Sequence, residues 1–205
     1  MASDTKTNRS NQPLTIRFQL TDGSVHEFTQ ADATINQKLC SEIEPSRLFA
    51  RHRIIIASEH SKSVFVANEI IRVDFLHESF RRWDLPAGYS DIVELSEQEF
   101  RQHTHIDQRD LMVKRNEPTP AGDMLVSFVR LQMRGGHLVF LMIEILVKLP
   151  AENHFFMQFI LSKGALHMRL RGGGNGVLNL ANLATYTVYP GVAQIPSDSW
   201  LAEPI

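Results

Sequence analysis

A short basic stripe is the clearest candidate binding site in this sequence. Its members occupy positions of equal parity in one segment: Lys163, His167, Arg169 and Arg171. On a β-strand they project from one face, and the apolar residues between them project from the other. A glycine-rich turn over residues 172–176 follows, where backbone N–H groups can meet a phosphate. Because guanidinium groups fork onto phosphate and stack on bases, the stripe suits RNA or another anion.

The same stripe is also typical of an amphipathic strand that only shows polar groups to water, and we favour this interpretation. Few aromatic residues interleave with the charges. The formal net charge of −2 gives the whole molecule no general attraction to nucleic acid. RNA binding through the stripe is therefore kept as the alternative.

A second candidate site is the one His-x-His sequence of the chain, His103 and His105, followed by Asp107. On a strand both imidazoles would face the same side, which suits zinc or iron with the carboxylate as third ligand. If a helix runs through this segment, residues i and i+2 diverge and chelate poorly. We keep the metal site behind the other interpretations and predict no cofactor.

The sequence shows no catalytic nucleophile arrangement. Residues 172–176 lack the Lys-Ser/Thr of a P-loop, and no G-x-S-x-G elbow is present. Cys40 is the only cysteine, so an internal disulfide is excluded and a reducing compartment is expected. We favour a protein that is not an enzyme.

Composition predicts an ordinary globular protein in the cytoplasm. Of the 205 residues, 43% are hydrophobic and 21% are charged, enough for a sizeable core. Residues 1–12 are polar without an apolar signal region, and we expect a disordered lead there. The most apolar run, residues 138–149, is too short to cross a bilayer, so no membrane association is predicted.

One unit is repeated in the sequence. Residues 16–25 and 129–138 share Arg, Gln and Gly in step, and residues 64–68 match residues 178–182 at almost the same offset. The repeat predicts two similar lobes. We place β-rich lobe one at residues 13–90, a linker with a short helix at 91–123, and β-rich lobe two at 124–205.

Local signals predict mostly short strands. Alternating apolar residues around Asp22-Gly23 indicate a β-hairpin, and residues 53–57 and 64–66 indicate another. Asp32 can cap a short helix, and Ser96 with Glu99 matches a capping box. In the second half, strands are expected at residues 124–133 and 137–149, on either side of Gly135-Gly136, and at 155–161, 166–170, 177–180 and 186–189.

Each unit resembles the small barrels of the Sm-like and SH3-like families. The carriers are the order of strands and turns, the run Arg171-Gly172-Gly173-Gly174-Asn175, which is similar to the Arg-Gly-x-Asn step of the second Sm signature, and Asp32 with Asn36 near the first. The resemblance implies a small barrel. The predicted fold class is mainly β, with two tandem duplicated small-barrel lobes and a short helix between them.

We therefore expect a non-enzymatic binding or assembly module with a protein partner or self-association into a homo-oligomer. The strand over residues 137–149 is apolar on both faces, which suits the interior of a sheet or a contact with another subunit. An Sm-like RNA-binding protein is the alternative, and a metal-dependent enzyme at His103 and His105 is the third possibility.

Overall fold

The computed structural model describes residues 13–77, 82–104, 118–119, 122–147, 160–189 and 200. The first part of the chain forms β1 (Leu14–Leu20), β2 (Val25–Gln30), α1 (Ala33–Glu42), β3 (Arg53–Ala57), β4 (Lys62–Val66), β5 (Ile70–Leu76), β6 (Tyr89–Leu95) and α2 (Glu97–Thr104). The rest forms β7 (Pro118–Thr119), β8 (Gly122–Met133), β9 (Leu138–Val147), β10 (Ala165–Arg169), β11 (Asn175–Asn179) and β12 (Leu183–Tyr189). The predicted mainly β class is confirmed. The predicted disordered lead at residues 1–12 lies outside the described residues.

Turns and helix starts follow the local chemistry that the sequence predicted. The Asp22 carboxylate accepts hydrogen bonds from the Ser24 backbone N–H (2.8 Å) and hydroxyl (2.6 Å) in the β1–β2 turn. Asp32 accepts from Thr34 N and Ile35 N at the start of α1. Ser96 and Glu99 form the reciprocal capping box of α2. The strand predicted at 155–161 is wrong at its last two residues, because Ile160 and Leu161 are helical. Residues 155–159 of this prediction lie outside the described residues.

The strands form one large sheet and one hairpin. Nine strands lie in the order β12-β8-β9-β6-β10-β11-β5-β1-β2, and β7 pairs with β8. Every neighbouring pair is antiparallel except β10 and β6, which are parallel. Strands β3 and β4 pair only with each other among the described strands.

Neither sheet closes into a barrel within the described part of the chain, so the expectation of two closed small barrels is not supported. Strand β6 is inserted between β9 and β10, and it lies largely in the segment predicted to be a linker. The β3–β4 hairpin packs on the large sheet through Phe65, whose ring stacks on Phe18 of β1 at 4.2 Å between centroids. It shares no backbone ladder with the described strands of that sheet.

The elements of the first part recur in the second part at a constant spacing. Strands β2, β4 and β5 begin at residues 25, 62 and 70, and β9, β11 and β12 begin at residues 138, 175 and 183. The step from each strand to its counterpart is the same in all three cases, and we call it the repeat spacing. The 3₁₀ turns Ala67–Glu69 and Leu180–Asn182 are separated by it as well. Residues 64–68 therefore correspond in the structure to residues 177–181, one residue away from the match to 178–182 that the sequence suggested. The pairings also recur, since β1 lies between β2 and β5, and β8 lies between β9 and β12.

The two parts of the chain share their cores across the contact between β5 and β11. We call this β5–β11 pair the seam. Val177 of β11 packs in the cluster built by β1, β4 and β5, while Ile71 of β5 packs in the cluster built by β6, β8, β9 and β10. Each of the two strands at the seam therefore contributes a side chain to the hydrophobic cluster of the other part of the chain.

Two buried asparagines tie the seam at one end. The Asn179 amide donates to Ala67 O (2.9 Å) and Ile70 O (3.0 Å). The Asn182 amide donates to Asn68 O (3.0 Å) and Ile70 O (2.8 Å). These four bonds give partners to two carbonyls of the 3₁₀ turn before β5 and to the carbonyl of Ile70, the first residue of β5.

A glycine permits a close backbone approach at the other end of the seam. Gly174 has φ +87°, and a Cβ added to it would overlap Phe75 O of β5. Its neighbour Gly173 has a similar φ of +94°, but a Cβ there would meet nothing within 4 Å. Both glycines have the left-handed backbone conformation, but only at Gly174 would a side chain also overlap another strand. Substitutions at the two positions therefore distinguish the cost of backbone strain from the cost of steric overlap.

We expect Gly173→Ala to lower the free energy of unfolding by about 1 kcal/mol, since a side chain disfavours the left-handed conformation. Gly174→Ala should cost at least about 2 kcal/mol, because the same strain is joined by displacement of β5. Urea denaturation of both variants measures the difference. Equal losses would show that the seam does not need the close approach.

Candidate functional site

A pocket of about 310 Å³ lies where residues 82–92 pass β10 and the start of β11. Its polar lining consists of Arg82, Asp84, Ser90, Asp91, His167, Arg169 and Asn175. Its apolar lining consists of Trp83, Leu85, Tyr89, Ile92 and Met168. The volume is at the lower end of the range for small-molecule sites, and the lining is more polar than that of most such sites.

Strand β10 carries two residues of the predicted stripe into this pocket. The alternation predicted for the strand is confirmed, because Leu166, Met168 and Leu170 are buried. His167 and Arg169, at the alternate positions, are half-buried against residues 82–92. The stripe therefore does not form a continuous solvated face.

The His167 ring is held in the pocket by aromatic packing. It meets Trp83 edge to face at 5.8 Å between ring centroids, and Trp83 in turn packs on Phe75. Its Nε2 atom is buried and has no hydrogen-bond partner among the described residues. Burial lowers the pKa of His167, and the nearby Asp84 only partly offsets this effect, so the ring is neutral at neutral pH.

Arg169 is partly neutralised where it enters the pocket. Its Nη2 donates to Asp91 Oδ2 at 2.6 Å, whereas its Nε is buried and has no hydrogen-bond partner in the described part of the chain. Tyr89 lies in the same pocket, and burial raises the pKa of its phenol to about 12. The phenol therefore stays neutral over the physiological range.

The other two members of the stripe lie outside the pocket. Arg171 Nε lies 3.2 Å from Glu99 Oε1 at the start of α2. Lys163 precedes β10 in an exposed turn. The structure thus brings His167 and Arg169 together, and it places carboxylates beside both arginines.

The predicted metal ligands are only partly described. His103 lies in the last turn of α2, where its ring stacks on Phe128 at 5.3 Å between centroids. His105 and Asp107 lie outside the described residues. Among the residues that are described, no group of three or more histidine, cysteine or acidic side chains could hold a metal ion.

A buried charge cluster lies apart from the pocket, and the sequence analysis did not find it. Arg72 of β5 is 7% exposed and donates from Nε to Asp74 Oδ1 at 2.9 Å. Its two terminal nitrogens donate to the Glu94 carboxylate of β6 at 2.6 and 3.2 Å. The signal was the presence of Arg72 and Asp74 in the otherwise apolar strand β5, since charges are rarely buried unless they are paired.

Arg72→Met should lower the free energy of unfolding by about 3–5 kcal/mol, because it leaves two carboxylates without their shared cation. Arg101→Met is the matched control, because Arg101 pairs with Glu97 on the exposed surface of α2, away from Arg72, Asp74 and Glu94. It should cost less than about 1 kcal/mol. Urea denaturation compares the two, and similar losses would contradict the assigned role of Arg72.

The lowered pKa of His167 makes stability depend on pH. The folded ring binds a proton less readily than the unfolded ring, whose ordinary pKa is 6.5. Since protonation then favours the unfolded chain, the free energy of unfolding should fall as pH decreases below about 6.5. His137 is half-buried, burial likewise lowers its pKa, and it acts in the same direction.

His167→Gln should therefore flatten the pH dependence without abolishing it. The measurement is the urea midpoint of wild type and variant at several pH values between about 5.5 and 7.5. Parallel curves for the two proteins would show that His167 titrates normally in the folded chain.

No helix in the described residues is both long and apolar enough to cross a membrane. Comparison of the chain with protein-family models, curated proteins and solved structures found no match. Function is therefore inferred from the pocket, the charges and the free strand edges of this chain.

Proposed function

We propose that this protein is a non-enzymatic binding module built from two copies of one β unit. The constant repeat spacing between corresponding strands supports the duplication, as do the matching pairings of β1 and β8. A backbone bond also recurs: Ala67 N donates to His52 O, and Leu180 N donates to Gly164 O. The insertion of β6 distinguishes the second unit and supplies one wall of the pocket.

The pocket beside β10 is the binding site in this proposal. The single observation that carries it is that two buried nitrogen atoms, His167 Nε2 and Arg169 Nε, belong to residues that line the same pocket and lack a hydrogen-bond partner among the described residues. The Nε of arginine can only donate, so it calls for an acceptor oxygen. Leaving such a group unpaired costs about 1–3 kcal/mol, so a ligand oxygen that reaches it after rotation of the side chain would be stabilised.

The charges around the pocket indicate which kind of acceptor oxygen a ligand would bring to it. The guanidinium groups of Arg82 and Arg169 are offset by the carboxylates of Asp84 and Asp91, and His167 is neutral. A phosphate or carboxylate would face both acidic groups, so an uncharged carbonyl, such as an amide, fits better. Trp83 and Tyr89 provide a flat apolar surface beside it.

RNA binding by the basic stripe remains the alternative. The ion pairs of Arg169 with Asp91 and of Arg171 with Glu99 weigh against it, because phosphate would have to displace both carboxylates. A metal-dependent enzyme at His103 and His105 remains the third possibility, because His105 and Asp107 lie outside the described residues.

The test uses three probes that share a phenyl ring and differ in the polar group: benzamide, benzoate and phenyl phosphate. We expect benzamide to bind with a dissociation constant on the order of 1 mM, and the two anions to bind at least about tenfold more weakly. Ligand-observed NMR measures all three. Arg169→Met should abolish benzamide binding. Arg17→Met is the control: Arg17 lies in β1 and does not line the pocket, so this variant should leave benzamide binding unchanged.

Preference for phenyl phosphate would reject the neutral ligand and favour the anion site. In that case a filter assay with an RNA oligonucleotide decides the alternative, and retention should disappear when Lys163, Arg169 and Arg171 are replaced by Ala. Absence of binding by all three probes would reject the pocket as a ligand site.

A further inference from the structure

Two strands at the ends of the repeated units have one free edge each. Strand β4 pairs only with β3, and β12 pairs only with β8 among the described strands. A free edge presents a row of backbone N–H and C=O groups that can pair with another strand. Among the described strands the outer edges of β2 and β3 are also free. Deciding which two edges pair with each other therefore needs a further argument.

The seam inside the molecule supplies that argument. At the seam, β11 of the second unit pairs antiparallel with β5 of the first unit. The counterparts of these strands, one repeat spacing away, are β4 in the first unit and β12 in the second. These are two of the free edges among the described strands. Each molecule therefore carries two strands that correspond to the two sides of the seam but do not pair with each other.

The register of the seam transfers residue by residue. Val177 lies opposite Val73 at the centre of the seam. A shift by the repeat spacing turns this pair into Val64 of β4 opposite Tyr186 of β12. The same shift turns the adjacent pair, Gly176 and Asp74, into Ser63 and Thr187. It also puts Ser61 in place of Gly174, so the two edges have to lie further apart at that end than β5 and β11 do.

The valine pair at the seam and the corresponding pair on β4 and β12 differ in exposure, as expected if β4 and β12 do not pair within one molecule. Val73 and Val177 are 1% and 0% exposed. Their counterparts Tyr186 and Val64 are 44% and 48% exposed, and both are among the large apolar side chains that the fold leaves in solvent. Val66 and Ile55 extend the apolar patch next to Val64, at 54% and 42% exposed.

We propose that copies of this chain associate head to tail, with β4 of one molecule adding antiparallel to β12 of the next. The inference rests on the proposed duplication and is independent of the pocket. Such a contact is heterologous, because the two surfaces are different, and it leads to a closed ring or to an open filament. The occupant is a second copy, since β12 carries both the register and the exposed apolar side chain that complement β4.

The contact between molecules should be weaker than the internal seam. Asn179 and Asn182 tie the internal seam through four hydrogen bonds, and their counterparts in the first unit are Val66 and Glu69, whose side chains carry no donor. Assembly is therefore expected to depend on protein concentration.

The experiment blocks one edge at a time. Val64→Glu places a charge on the β4 edge, and Tyr186→Glu places one on the β12 edge, at positions already exposed in the folded chain. Wild type should form oligomers at micromolar concentration by sedimentation velocity, and each variant alone should be monomeric. An equimolar mixture of the two variants should form a 1:1 dimer, because each still carries the edge that the other has lost.

Val25→Glu is the matched control, because Val25 is 52% exposed on the free edge of β2 and should leave assembly unchanged. Thermal melts and benzamide binding verify that each variant is folded, and they keep the pocket separate from assembly. A monomeric wild type, oligomers that survive both variants, or a mixture that stays monomeric would each overturn the proposal.

Discussion

The seam between β5 and β11 is the contact on which the rest of the molecule depends. Among the described strands it is the one ladder through which β1, β2 and β5 join the strands of the second half in a single sheet. Its side chains belong to both cores, because Val177 fills the first cluster and Ile71 fills the second. Without the seam each half would expose an apolar face and an unpaired edge.

The polar contacts around the seam are positioned by β6. This strand lies between β9 and β10 and carries Asp91 and Glu94. Asp91 neutralises Arg169 in the pocket, and Glu94 neutralises Arg72 between the two halves. One inserted strand therefore both completes a buried ion cluster and forms a wall of the candidate site.

Under the proposed duplication, the molecule contains only one seam between corresponding strands, and this accounts for the apolar side chains that remain exposed at two of its edges. The internal seam buries the valines at its centre, and the equivalent positions at β4 and β12 remain in solvent. The residues that line the pocket belong to neither of those strands. The proposed ligand site and the proposed contact between copies therefore rest on different elements, so mutations can test them separately.

Local structure was determined by the sequence alone, because it depends on groups within a few residues of one another. The Asp22 turn, the Asp32 cap, the Ser96–Glu99 box and the alternation of β10 were all predicted from neighbours. Most strands were predicted within a few residues as well, and the helix at Ile160 was missed since a short apolar run suits either form.

Only the tertiary structure decided how these elements combine. The sequence indicated Arg169 as a solvated cation, but folding places it on Asp91, which lies far earlier in the chain. The sequence also predicted barrels, whereas β6 enters the sheet between β9 and β10. Such pairings depend on which edges and charges meet in space. Which edges and charges meet cannot be read from residue types and their spacing along the chain. The energy of a buried ion pair or a shared ladder depends on distances and burial that exist only in the folded molecule.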